Sequence, residues 1–155
     1  MKKPRYFLWI AAVEAAGFLS GILSREGTSF YEANVQKPAL TPPGILFPVV
    51  WAILYTMMGI SAARVAASEG SVQRSRGLNL FAVQLVFNFF WSLIFFNARA
   101  YGFAFLWLLA MWVLIIAMIL QFWKVDKPAA LLQIPYLLWV TFAACLNFGV
   151  WQLNR

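Results

Sequence analysis

Between Tyr101 and Trp123 the chain reads YGFAFLWLLAMWVLIIAMILQFW, a run without one charged side chain. A bilayer's hydrocarbon core is about 30 Å thick, and about 20 helical residues cross it. Backbone inside lipid must satisfy its own hydrogen bonds, so a run this long is a helix. Strands of a barrel would be about ten residues long and would alternate. Outward from this run the pattern repeats. Downstream, Lys124-Val125-Asp126-Lys127-Pro128 leads into a charge-free stretch from Ala129 to Leu153. Upstream, Asn97-Ala98-Arg99-Ala100 is too short for anything but an antiparallel hairpin with a stretch from Leu78 to Phe96. Before that lie Gly44 to Ala63, closed by Arg64, and Tyr6 to Leu23, interrupted only by Glu14.

The expected fold is an all-α integral membrane protein, a bundle of five transmembrane helices forming one membrane domain over 1–155. The helices are placed at about 6–23, 44–63, 78–96, 101–123 and 129–153. Residues 24–43 form a long first loop. Its Phe30, Tyr31, Val35 and Leu40 do not suit a solvated linker, so it is read as a lid over a pocket. The Ser68–Gly77 segment is read as a polar loop. Eight basic residues (Lys2, Lys3, Arg5, Arg64, Arg74, Arg76, Lys124, Lys127) fall on one side and four (Arg25, Lys37, Arg99, Arg155) on the other. By the positive-inside rule the N-terminus is cytoplasmic, and the first loop and C-terminus lie outside the cell membrane.

Composition excludes much. The 155 residues are 63% hydrophobic, 18% aromatic and 11% charged, with eight Trp, no His and one Cys. Soluble domains are about 45–50% apolar and about 25% charged. Without His there is no Ser-His-Asp or Cys-His machinery and no histidine metal site; one Cys gives no disulfide and no zinc cluster. No phosphate-binding glycine loop is present. The net charge of +7 reflects loop asymmetry in a membrane protein rather than nucleic-acid binding.

Polar and aromatic residues recur on helical stripes. Thr41 and Pro42 are expected to cap and open the second span, and Pro48 to kink it by freeing the Gly44 carbonyl. Trp51, Tyr55 and Met58 follow on one face. The third span carries Gln84, Asn88 and Trp91 at the same spacing, Gln84 leaning to a structural role. The fifth carries Pro135, Trp139, Ala143 and Asn147. The first carries Glu14 at mid-membrane, a functional candidate by its cost in lipid, and Gly17-x-x-x-Gly21, a packing motif. Indoles with a few amides beneath an aromatic lid suit a large planar apolar ligand with polar edges. A porphyrin without tight axial ligation fits this better than haem. Trp9, Trp107, Trp112, Trp123 and Trp151 read as anchors or packing.

In order along the chain stand Tyr31, Gln36-Lys37-Pro38, Pro42-Pro43, Pro48, Trp51, Leu54-Tyr55 and Met58-Gly59. Then come Gln84, Asn88, Trp91, Phe95-Phe96 and Arg99, and finally Pro135-Tyr136-Leu137, Trp139, Phe142-Ala143, Leu146-Asn147 and Trp151. This series resembles the translocator protein family, also called tryptophan-rich sensory proteins or peripheral-type benzodiazepine receptors. The resemblance implies a membrane receptor, commonly a homodimer, for porphyrins such as protoporphyrin and for isoquinoline or benzodiazepine drugs. It implies ligand contacts from Tyr31, Pro42, Trp51, Asn88, Trp91, Trp139 and Ala143. It also implies light-driven porphyrin degradation, with Trp51 and Trp139 as radical-forming catalytic indoles. No cofactor is expected to be bound permanently, no metal is expected, and porphyrin is ligand or substrate. Membrane lipid is the other expected partner. The alternative is a transporter of porphyrins or lipophilic compounds, coupled to protons through Glu14. A stress-sensing role is a third class.

Overall fold

The computed structural model describes residues 2–155. Its helices are α1 (Tyr6–Leu23), α2 (Arg25–Asn34), α3 (Leu46–Ala67), α4 (Val72–Ser92), α5 (Tyr101–Val125), α6 (Lys127–Leu132) and α7 (Ile134–Leu153). A π-helical turn, Leu93–Asn97, continues α4. Five spans result: α1, α3, α4 with its π turn, α5, and α6–α7 together. They close into a ring in which α1 packs on α3 and α4, α4 on α5, and α5 on α7.

Each helix end has a local cause, and several differ from expectation. α4 begins six residues before Leu78 because Ser71 caps it, its hydroxyl accepting the Arg74 N–H at 3.0 Å. The Arg74 guanidinium then donates to the Ala66 carbonyl at 2.6 Å, closing the end of α3. The polar loop is thus only Ser68–Ser71, and the charged residues after it sit on helix. Asp126 separates α5 from α6. Its carboxylate accepts the Ala129 N–H at 3.1 Å and pairs with Arg64 of α3 at 2.7 Å.

Pro48 does not kink a helix. α3 starts at Leu46, so Pro48 lies in the first turn, where N–H groups have no intrahelical partner to lose. The Gly44 carbonyl is taken by the Phe47 N–H at 3.3 Å. Thr41 and Pro42 precede the helix, and Thr41 does not cap it; its buried hydroxyl has no partner. The last span breaks at Gln133 and restarts with Pro135 in its first turn.

That break opens the bundle. On the near side of the break α6 is tied to α3 by Ser61, whose hydroxyl donates to the Ala129 carbonyl at 2.7 Å, and by the Arg64–Asp126 pair. Beyond Gln133, α7 meets α3 only sparsely. Beyond the break α3 and α7 are bridged by ring contacts, Trp51 on Tyr136 and Phe47 on Trp139, with space beside them.

Candidate functional site

Residues 24–43 are not a loop throughout: α2 accounts for half of them. Only Ser24 separates it from α1, its N–H bonded to the Ser20 carbonyl while its own carbonyl accepts from Thr28. The segment lies across the outer end of the bundle and is fastened at three places. At the first, a Cβ on Gly27 would sit 2.6 Å from the Phe96 carbonyl, so α2 rests directly on the π turn. Asn97 on that turn donates to the Leu23 carbonyl at 2.8 Å. At the second, Tyr31 packs edge-on against Phe96 and tilted against Phe95, ring centroids 5.3 and 5.5 Å apart. Burial first, then Glu32, pushes the Tyr31 phenol up to about 12, so it stays a neutral hydroxyl. At the third, the Gln36 backbone exchanges two hydrogen bonds with the Asn154 amide, at 3.1 and 2.8 Å. Arg99, held at φ 53° in the α4–α5 turn, lays its guanidinium 3.4 Å from the Phe30 ring centroid.

Gly27→Leu will therefore lift α2. Hydrogen exchange across 25–40 should quicken by about tenfold or more while exchange in α5 stays unchanged, since overpacking against backbone costs about 1–3 kcal/mol. Unaltered exchange in α2 would contradict this fastening.

Beneath α2 lie two adjoining chambers. One, of about 610 Å³, reaches down between α1 and α3 to Glu14. The other, of about 380 Å³, lies directly under α2 between α3 and α7. Trp51, Trp91 and Ala143 line both. Asn88 lines the deeper chamber, and Tyr31 and Trp139 line the outer one. Pro42 lines neither: it stands ahead of α3 in the strap, and Gly44, Phe47 and Pro48 reach the wall instead.

The wall is held stiffly. The Trp51 ring stacks on Tyr55 at 5.3 Å and meets Tyr136 edge-on at 6.2 Å. Tyr55 donates to the Asn88 Oδ1 at 2.8 Å, and the Asn88 Nδ2 donates to the Tyr136 hydroxyl at 3.0 Å. The Tyr136 hydroxyl donates to the Gln84 Oε1 at 2.6 Å. Asn88 is thus a wall residue that also joins α3, α4 and α7, and Gln84 is wholly internal. The Trp91 indole donates to the Asn147 Oδ1 at 3.1 Å. Trp139 packs against Phe47 and Phe142, and its buried indole N–H has no acceptor among the described residues. A buried unpaired donor costs about 1–3 kcal/mol.

Two charged wall residues were not anticipated. Arg25 borders both chambers at the outer end of α1, and Glu32 borders the outer one. Their place follows from the fold of α2, which hydropathy did not reveal. The glycine motif also divides. A Cβ on Gly17 would strike the Tyr55 ring, whereas one on Gly21 would meet nothing within 4 Å. Gly17 packs helices, and Gly21 opens the chambers.

Fold and site together define a polytopic helical membrane protein with an aromatic chamber under a helical cover. The chain belongs to the TspO/MBR family, whose model matches residues 9–152. It is 38% identical to the tryptophan-rich protein TspO of Chlorobaculum tepidum, over 95% of this chain and 94% of that one. It is 38% identical to protein CrtK of Rhodobacter capsulatus, over 99% and 95%. It is 36% identical to the translocator protein of Ovis aries, over 95% and 92%.

Proposed function

We propose that this protein is a membrane receptor for porphyrins, protoporphyrin foremost, and for isoquinoline- or benzodiazepine-type compounds. One observation carries the reading: Trp51, Trp91 and Ala143 border both chambers, with Trp139 on the outer one. Flat indole faces beside a methyl-sized residue leave a slot for a planar ring, and Arg25 at the outer rim offers a partner for a ring carboxylate. The N-terminus lies in the cytoplasm and α2 and the C-terminus outside the cell membrane, a reading supported by the excess of basic residues at the N-terminal end. The working unit is a homodimer, which rests on the family resemblance alone.

We further propose that bound porphyrin is degraded in light. The excited macrocycle withdraws an electron from Trp51 or Trp139, and dioxygen takes up that electron from the reduced ring as superoxide. The indole radical cation then removes an electron from the ring, which restores the indole and leaves a macrocycle radical cation for superoxide to attack. The test is illumination of the purified protein with protoporphyrin while its absorbance is followed. Trp51→Phe and Trp139→Phe should each slow bleaching by about tenfold or more, the usual scale for loss of a chemical participant. Bleaching at the wild-type rate would remove the radical role. Unchanged protoporphyrin affinity in the double variant would remove the site assignment as well.

A transporter is the second reading, favoured by Glu14 sharing a chamber with Trp51. Porphyrin flux into liposomes that follows a proton gradient and stops in Glu14→Gln would select it.

A further inference from the structure

The deeper chamber has a chemistry that porphyrin binding does not use. Glu14 stands on its wall at mid-span, half-buried, with one polar contact: the Thr56 hydroxyl donates to its Oε2 at 2.7 Å. Among the described residues the only ion pair is Arg64–Asp126, so Glu14 has no cationic partner. The other charged side chain on this wall, Arg25, opens α2 beyond the end of α1 and forms no ion pair with Glu14. A carboxylate at this depth in lipid is costly unless a counter-charge reaches it.

The chamber admits what the bilayer carries. Phe18 and Ile22 on its α1 wall are 72% and 49% exposed, and Ala52 on its α3 wall is exposed too. In a membrane those surfaces face lipid, so the chamber opens sideways between α1 and α3. On the α3 side of the same chamber lie Trp51 and Tyr55, rings stacked at 5.3 Å. An acid without a counter-ion, flanked by aromatic rings, in an apolar chamber open to lipid, is a receptacle for an ammonium group on an apolar body.

We propose that the deeper chamber is a binding site for lipophilic amines, with the ligand nitrogen paired to Glu14 and its apolar body lying against Trp51 and Tyr55. The ligand is a free amphiphilic amine rather than an aminophospholipid. Glu14 lies nine residues inside α1, about 13 Å below its outer end, beyond the reach of a headgroup held at the interface. This site shares Trp51 and the deeper chamber with the porphyrin reading, but it rests on Glu14 and is tested without a porphyrin.

The experiment uses the full chain in phosphatidylcholine nanodiscs and reads quenching of tryptophan fluorescence. The probes are a brominated dimethylalkylamine and its uncharged isostere, with carbon in place of nitrogen. The amine should half-saturate at a concentration about tenfold lower than the isostere, the scale of one charge-assisted hydrogen bond. Glu14→Gln should abolish that preference, and Glu14→Asp should keep most of it. Adding phosphatidylethanolamine should leave the amine's half-saturation unchanged. Equal affinity of the two probes for the wild-type protein would overturn the proposal, and this comparison stands even where a variant fails to fold. A preference surviving in Glu14→Gln, or displacement by phosphatidylethanolamine, would overturn it equally.

Discussion

Gly59→Leu will destabilise the protein more than any other single change considered, by about 3 kcal/mol or more, and Gly59→Ala by a part of that. The reason is a backbone contact. A Cβ at Gly59 would lie 2.6 Å from the Ile10 Cα and 2.9 Å from the Ile10 Cγ1. A clash with a flexible side chain relaxes by rotamer change, but a clash with a helix backbone relaxes only by moving the helix. Moving α1 away from α3 dismantles the pairing that forms one wall of the deeper chamber. Glycine is also about 1 kcal/mol poorer than alanine within a helix, so a stabilising propensity change works against the loss and does not cancel it. Denaturation in detergent with tryptophan fluorescence as readout checks the ranking. Gly70→Ala is the control, since a Cβ there meets nothing within 4 Å; it should fall within about 0.5 kcal/mol of wild type. Equal stability of Gly59→Leu and Gly70→Ala would refute the α1–α3 contact.

The second large effect is on binding and should leave stability intact. Gly21→Phe places a ring where the backbone has no neighbour, at a position bordering both chambers. The first side-chain carbon meets nothing within 4 Å, and loss of a helical glycine slightly favours the fold. A phenyl group there takes volume that a macrocycle would need. Protoporphyrin affinity should fall by about tenfold or more, since a misfit of this size against packed walls costs about 1–3 kcal/mol. The unfolding midpoint should not fall. Retained affinity in Gly21→Phe would place the ligand outside the chambers. The neighbouring Gly17 behaves oppositely: Gly17→Ala pushes on Tyr55 and so on its hydrogen bond to Asn88.

The five spans were legible because lipid imposes a simple rule on length and charge, and a charge-free run such as Tyr101–Trp123 satisfies it wherever its neighbours are. The turn residues that end the spans were less legible. Thr41 and Pro42 carry the right chemistry to open a helix, yet α3 starts at Leu46, and a cap is decided by where the strap comes down. α2 was hidden for the same reason. Ten mixed residues hold a helix only because Gly27 and Tyr31 find the π turn and its aromatic rings.

Of the candidate site, the stripes Trp51–Tyr55, Asn88–Trp91 and Trp139–Ala143 came from helical spacing. The indoles read as packing are consistent with that role where they hydrogen-bond within the bundle. Trp107 donates to the Phe87 carbonyl and Trp112 to the Thr141 hydroxyl, both at 2.8 Å. Spacing places residues on one face of one helix. It does not say which faces meet, how far apart two helices stand, or what is left between them.

The sequence by itself determined the solvent, the number of crossings and the inventory of indoles, amides and one mid-span acid. Those follow from composition along the chain, because the bilayer reads each segment separately. The tertiary structure alone decided that Gly17 packs while Gly21 opens a chamber, and that Pro42 stands aside while Arg25 joins the wall. It also decided that Glu14 faces the same space as Trp51. These depend on a last span that breaks at Gln133 and on a cover fastened at Gly27, Tyr31 and Asn154, contacts between residues far apart in the chain.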